Sequence, residues 1–198
     1  MINFDFTTDY ILENDKVLLR PLTAEDFDHL KTFSLLEPNL WKYSLIPADG
    51  LENLKNYMNL ALKGRQEENA YPFIVFDKTK DQYAGTTRFY DMQSYHKTTQ
   101  LGYTWYGKDF QGTGLNKNCK FLMLQFAFES MEVERVEFRA DAKNDRSIAA
   151  MKSIGCEKEG ILRSNCISPS GRRDSIIFSI LRTEWLVHVK MSLSERIK

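Results

Sequence analysis

Past the midpoint of the chain, at Gly112-Thr113-Gly114, the hydrophobic pattern changes its period. Before this bend stand three strand-like runs, Tyr71–Phe76, Tyr83–Met92 and Thr98–Tyr106, separated by the polar stretches Asp77–Asp81 and Ser94–Lys97. Connections that short favour an antiparallel meander. After the bend, the spacing predicts a helix over 115–131. It carries Cys119, Leu122, Met123 and Phe126 on one side and Phe121, Leu124 and Phe128 on another. Apolar groups around most of a helix mean that it is largely buried. A strand over 133–142 and a helix over 144–154, closed by Gly155, come next. Two more strands, 159–167 and 174–181, and a C-terminal helix from Thr183 complete the pattern. A meander followed by strand, helix, strand, helix requires a crossover onto the same sheet. The expected fold class is α+β: a single mixed sheet, antiparallel in its first half with parallel central strands, and helices on both faces.

Upstream, Val17–Leu22 reads as a strand that stops at Pro21, which cannot donate to a ladder. Thr23 and Asp26 form the ends of a capping box for a helix whose apolar face holds Leu30 and Phe33. A loop is expected over 37–50. A second helix over 51–63 follows, with Leu51, Leu54, Met58 and Ala61 on one stripe and Gly64 as its stop. Neither an internal repeat nor a linker interrupts the 198 residues, so one domain is expected over 1–198, with its core at about 17–185.

The 27 basic and 27 acidic residues cancel, which argues against nucleic acid and anionic membrane as partners. No run approaches the ~18 apolar residues of a membrane span. The start of the chain lacks the charged and apolar regions of a signal peptide. A cytoplasmic protein is expected. Cys119, Cys156 and Cys166 show no CxxC spacing, and His29, His96 and His188 are scattered, so reduced thiols and no metal site are expected.

The bend has two readings. One is a plain tight turn before a helix. The other is an anion site, because glycines expose backbone N–H groups at a helix N-terminus, where the dipole favours a diphosphate. A Walker A loop is excluded, since Leu115-Asn116 stands where Lys-Ser/Thr is needed. A Rossmann fingerprint is excluded too, since Lys117 stands near the place of the third glycine.

The bend resembles the acyl-CoA loop of the GCN5-related N-acetyltransferase (GNAT) superfamily, in the Gln-Gly-x-Gly form of its Rim-type branch, which includes ribosomal-protein N-terminal acetyltransferases. Gln111, Gly112 and Gly114 carry that form. Further elements fall in the family's order over about 17–185: Leu19-Arg20-Pro21-Leu22, Leu101-Gly102-Tyr103, Asn144-Asp145-Arg146-Ser147 before Gly155, Glu159-Gly160-x-x-Arg163, Asp174 and Glu184-Trp185. The resemblance implies transfer of an acetyl group from acetyl-CoA, as co-substrate, directly to a primary amine on a protein N-terminus or small molecule. No metal is implied, and a homodimer is compatible with it. The amides of Gln111, Gly112, Thr113, Gly114, Leu115 and Asn116 would grip the diphosphate. Strands 98–106 and 133–142 would splay to admit the pantetheine arm, and amides of Tyr103, Thr104, Trp105 and Tyr106 would pair with it and polarise the thioester.

Asn144 reads either as an N-cap or, by the resemblance, with Ser147 at the pantetheine end. Many relatives place a tyrosine where this chain has Met151, and Ser147 is the expected substitute as acid. Gln100 stands where Rim-type relatives often carry a basic glutamate, which leaves Asp91, Glu137, Asp174 or water as proton acceptor. Trp41 and Tyr43 in the long loop, with Arg88 and Tyr90, are candidates for the acceptor pocket. Core packing for Tyr90 and a surface ion pair for Arg88 are the alternatives. Two other classes stay open: a CoA-binding module without catalysis, and a nucleotide-binding protein of another fold.

Overall fold

A computed structural model describes residues 1–169 and 171–197. Eight strands form one sheet: β1 Leu12–Glu13, β2 Val17–Pro21, β3 Ala70–Asp77, β4 Gln82–Gln93, β5 Thr98–Tyr106, β6 Arg135–Asp141, β7 Glu157–Ser168 and β8 Gly171–Leu181. Their spatial order is β1-β2-β3-β4-β5-β6-β8-β7. β3 to β5 form the expected antiparallel meander, β2 pairs antiparallel with β3 from across the two intervening helices, and β6 joins β5 in parallel. The return hairpin then places β8, not β7, beside β6.

Alternation along the strands feeds two cores. Phe73 and Val75 of β3 face one core and Ile74 the other, because successive side chains leave opposite faces of a sheet. The first core is covered by α3 (Leu115–Gln125, continued by a π turn over Phe126–Ser130), α4 (Asp145–Ser153) and a C-terminal helix α5 over 182–195. The second is covered by α1 (Phe27–Leu36) and α2 (Leu51–Gln66).

A short 3-10 turn over Ala24–Asp26 leads into α1. Asp26 reaches back to the Thr23 amide at 2.8 Å and receives the Arg20 guanidinium on both oxygens, at 2.5 and 2.9 Å. The pair locks β2 to α1 through charge-assisted bonds that keep the buried carboxylate compensated. Two readings of the sequence need correction here. Gly64 does not end α2 but lies inside it, where an added Cβ would stand 3.0 Å from the Ala70 Cβ. Its role is close approach of helix to strand. Leu51 is exposed, and Tyr57 takes a place on the buried stripe instead.

Two irregularities prepare the site. In β5, Tyr103 and Thr104 together oppose Thr87, since Thr86 pairs with Trp105 and Arg88 with Gly102. Tyr103 takes φ +49 at this bulge. A bulge bends its strand and sharpens the local twist. The parallel ladder between β5 and β6 covers just Thr98↔Arg135, Thr99↔Val136 and Gln100↔Glu137. From Leu101 onward β5 leaves β6, while β6 stays with β8 as far as Asp141↔Ser175. The two central strands therefore enclose a wedge that opens toward their C-terminal ends.

Candidate active site

The wedge opens onto the glycine bend and the N-terminus of α4. Gly112 and Gly114 adopt φ +77 and +90, and an added Cβ at either would meet nothing within 4 Å. Conformation, not crowding by the protein, requires glycine there. Asn118, buried in α3, donates to the Gly114 carbonyl at 3.1 Å and accepts from Asn14 at 2.9 Å. This fixes the start of the helix from its inner side. Among the described residues, no protein group accepts from the amides of Gly112, Thr113, Gly114 or Asn116. The Leu115 amide meets the Thr113 hydroxyl at a long 3.4 Å. The Gln111 amide departs from the expectation, because it closes the 3-10 turn onto the Lys108 carbonyl. Its side chain works instead, donating to the Tyr106 carbonyl at 2.8 Å and accepting from Arg146. Arg146 thus ties the bend to α4 across the mouth of the wedge, a contact the sequence reading did not anticipate.

On β5, the Gly107 amide donates to Ala84 of β4. Because peptide groups alternate along a strand, the Tyr106 amide points away from β4, into the wedge. Other groups of the remaining three residues have partners within the protein. The Tyr103 carbonyl accepts from the Tyr57 hydroxyl at 3.0 Å. Trp105 is in register with Thr86 of β4, and its indole is buried against Trp41. The Thr104 side chain turns toward α3. Asn144 caps α4, accepting from the Ser147 amide at 3.1 Å. Met151, one turn beyond Ser147, is buried in the first core.

Two cavities flank the wedge. A cavity of about 290 Å³ is lined by Tyr43, Lys42, Lys143, Asn144 and Arg146, among others. A second, of about 450 Å³, lies under α2 and includes Arg88, Tyr90, Asp91 and Tyr103 in its wall. Trp41 lines neither, because its ring fills the second core against Trp105. Arg88 is 4% exposed, with its guanidinium over the rings of Tyr103 at 4.1 Å and Tyr57 at 4.8 Å. Among the described residues its Nη2 has no hydrogen-bond partner. The surface ion pair is thereby excluded, and a buried cation with an unsatisfied donor remains. Burial holds the Tyr90 phenol well above its ordinary pKa, so it stands in the wall as a neutral hydroxyl.

The carboxylates separate cleanly. Asp91 accepts from the side-chain amides of Gln100 and Gln93, each at 2.6 Å, and borders the larger cavity. Glu137 is clamped between Arg135 at 2.8 Å and Arg139 at 2.6 Å. Asp174 is exposed and accepts from the Ser164 amide.

A family model described as an acetyltransferase (GNAT) domain matches residues 16–157. The chain belongs to the GNAT acetyltransferase family. It is therefore an acyltransferase by kinship. The chain is similar to the uncharacterized N-acetyltransferase p20 of Bacillus licheniformis, at 24% identity over 88% of this chain and 97% of that one. Its fold is shared with a GCN5-related N-acetyltransferase from Brucella melitensis, at TM-score 0.89 and 21% identity, over 100% of this chain and 90% of that one. It is shared also with the microcin C7 self-immunity acetyltransferase MccE, solved with acetyl-CoA and AMP, at TM-score 0.75 and 22% identity over 85% and 93% of the two chains. No helix among the described residues of this GNAT chain is long and apolar enough to cross a membrane.

One group within this GNAT fold escaped the sequence reading. Lys120 of α3 is 5% exposed and donates to Thr104 at 2.7 Å and Thr87 at 3.1 Å. In the sequence it is one charge in a helix otherwise apolar on most sides, and nothing in the pattern says that it points inward.

Proposed function

We propose that the chain transfers the acetyl group of acetyl-CoA directly to a primary amine whose molecule also carries a carboxylate. The observation that carries this reading is the wedge between β5 and β6, with unpaired amides at its mouth. Coenzyme A has a diphosphate for the amides of Gly112, Thr113, Gly114 and Asn116, at the positive end of α3. Its slender arm suits a gap one strand wide, where the Tyr106 amide and the Asn144 side chain supply polar contacts. Lys42, Lys143 and Arg146 outweigh the one carboxylate beside them, Asp145, and give the mouth a net positive field that favours a polyanion. MccE, of the same fold, binds acetyl-CoA in the same general architecture.

The larger cavity supports the acceptor half of the reading. Arg88 would pair its free Nη2 with the acceptor's carboxylate, while Tyr103 and Tyr57 hold the guanidinium flat. Asp91, oriented by Gln100 and Gln93, would take the proton that the attacking amine must lose. The protein's contribution is then to hold both reactants at the Tyr103–Thr104 bulge, with fixed donors where negative charge develops on the carbonyl oxygen. A protein N-terminus or a small amine both meet this description, and Arg88 favours an amino acid or short peptide over a polyamine.

A second reading, a module that binds acyl-CoA without turning it over, draws on Gln100 and Met151, which stand where a base and an acid were expected. Thermal-shift titration with acetyl-CoA, followed by thiol release over a panel of amino acids, dipeptides and polyamines, separates the two. Stabilisation with turnover, strongest for the carboxylate-bearing amines, is the expected result. Stabilisation without turnover on any amine supports the module. No stabilisation sinks both.

A further inference from the structure

We propose that Lys120 and Thr104 together form the acid that protonates the departing thiolate, in place of the tyrosine that Met151 has displaced. The inference rests on the acetyl-CoA reading above. The β5 bulge faces two ways: Tyr103 toward the acceptor cavity, Thr104 toward α3. Thr104 is half-buried and lies in the stretch of β5 that has left β6, at the closing end of the wedge. An arm anchored at the glycine bend and running into the wedge brings its reactive end to that point, where the amine from the acceptor cavity also arrives.

Lys120 approaches the same point from behind. Its ammonium donates to both threonine hydroxyls, which stand 2.7 Å from one another. That threonine–threonine bond runs in either sense, so Thr87 can donate and leave the Thr104 proton in only a long 3.4 Å contact with the Gly102 carbonyl, from which it can be given to sulfur. No carboxylate acts on the ammonium among the described residues; the titratable groups facing it are the thiols of Cys119 on its own helix and Cys156 ahead of β7. Burial pushes both thiols up, Cys119 to about 12, so neither is an anion at neutral pH. A buried cation without a counterion is costly unless something anionic visits it. A thiolate formed beside Thr104 is such a visitor.

The step balances. The new C–N bond forms, the C–S bond breaks, and its electron pair leaves on sulfur. Thr104 gives its proton to sulfur and takes one from Lys120. Lys120 ends as a neutral amine and recovers its proton from solvent before the next turnover. Burial lowers the Lys120 pKa to about 7, below the ~8.5 of a free thiol, so the transfer runs downhill.

The test uses the full chain and the variants Lys120→Met and Thr104→Val. First, the thiol of bound CoA is titrated by ultraviolet thiolate absorbance, with desulfo-CoA as the blank. Below about pH 7, where the ammonium still holds its proton, wild type should carry about tenfold more of that thiol as thiolate than Lys120→Met does at the same pH. Second, kcat in Lys120→Met should fall by about a hundredfold with acetyl-CoA affinity little changed, and the fall of kcat above neutral pH should vanish. Thr104→Val keeps the ammonium but breaks the relay, so it should lose kcat while keeping most of the thiol shift. This second variant carries the test if Lys120→Met fails to fold. An active wild type whose bound thiol titrates as in Lys120→Met, or whose kcat–pH profile survives in both variants, overturns the proposal and leaves the acetyltransferase reading standing. A wild type that does not bind acetyl-CoA overturns both.

Discussion

A side chain at Gly112 or Gly114 would be free of clashes with the protein, yet it would sit on a backbone that L-residues avoid. The cost of a left-handed residue is ~1–2 kcal/mol. Gly112→Val should therefore lower the melting temperature by a few degrees while abolishing the thermal shift from acetyl-CoA, because the added group stands where a diphosphate would approach the amides. A lowered melting temperature with the acetyl-CoA shift unchanged would mean that the bend is only a turn. Arg88→Leu tests the other half of the site. Thiol-release kinetics should show KM rising by one to two orders of magnitude for carboxylate-bearing amines, roughly the worth of a charge-assisted pair, and little change for a polyamine. Much at this scale was legible, because glycines at a strand–helix border and an Asn three residues before a Ser have local meanings. Trp41 and Lys120 were not. Whether an indole fills a core or a pocket, and whether a lysine points in or out, depends on residues far away in the chain.

Between β4 and β5, the backbones come close just beyond the bulge, beside the stretch of β5 that has left β6. An added Cβ on Gly85 would lie 2.0 Å from the Trp105 carbonyl oxygen, a backbone atom with nowhere to go. Gly85→Ala must push β5 off β4 at the root of the bulge. Urea unfolding should show a loss of more than ~3 kcal/mol, or no folded protein at all. A near-neutral outcome would show that β4 and β5 can separate cheaply, and the fixed geometry of the wedge would lose its support. The meander and the crossover could be read from connection length and period, since both are local properties. The order β6-β8-β7 could not, because it records which strand wins the edge of β6, a choice made between segments with similar alternation. Likewise Gly64 carries the local mark of a helix stop, and only its neighbour Ala70 reveals that it marks contact.

For the molecule as a whole, the sheet divides two apolar cores, and Lys120 is buried beside the first without a counter-charge among the described residues. The consequence for stability has a definite sign. Lys120 has a folded-state pKa of about 7, lowered by burial, against an ordinary lysine value of ~10.4 in the unfolded chain. Between these values the unfolded chain binds more protons than the native one, so native stability rises with pH, by up to ~1 kcal/mol per unit. Below pH ~7 both states hold the proton and the contribution is constant. The buried thiols of Cys119 and Cys156 work in the opposite sense, since their folded pKa values are raised, and their effect begins where unfolded cysteine titrates, near ~8.5. The window from about pH 7 to 8.5 therefore isolates the lysine. Urea unfolding across it should show wild type gaining stability with pH relative to Lys120→Met, with the two curves parallel below neutrality. Parallel curves throughout would mean that the ammonium keeps its proton in the folded chain, and the acid assigned to it would then be too weak for its task at neutral pH.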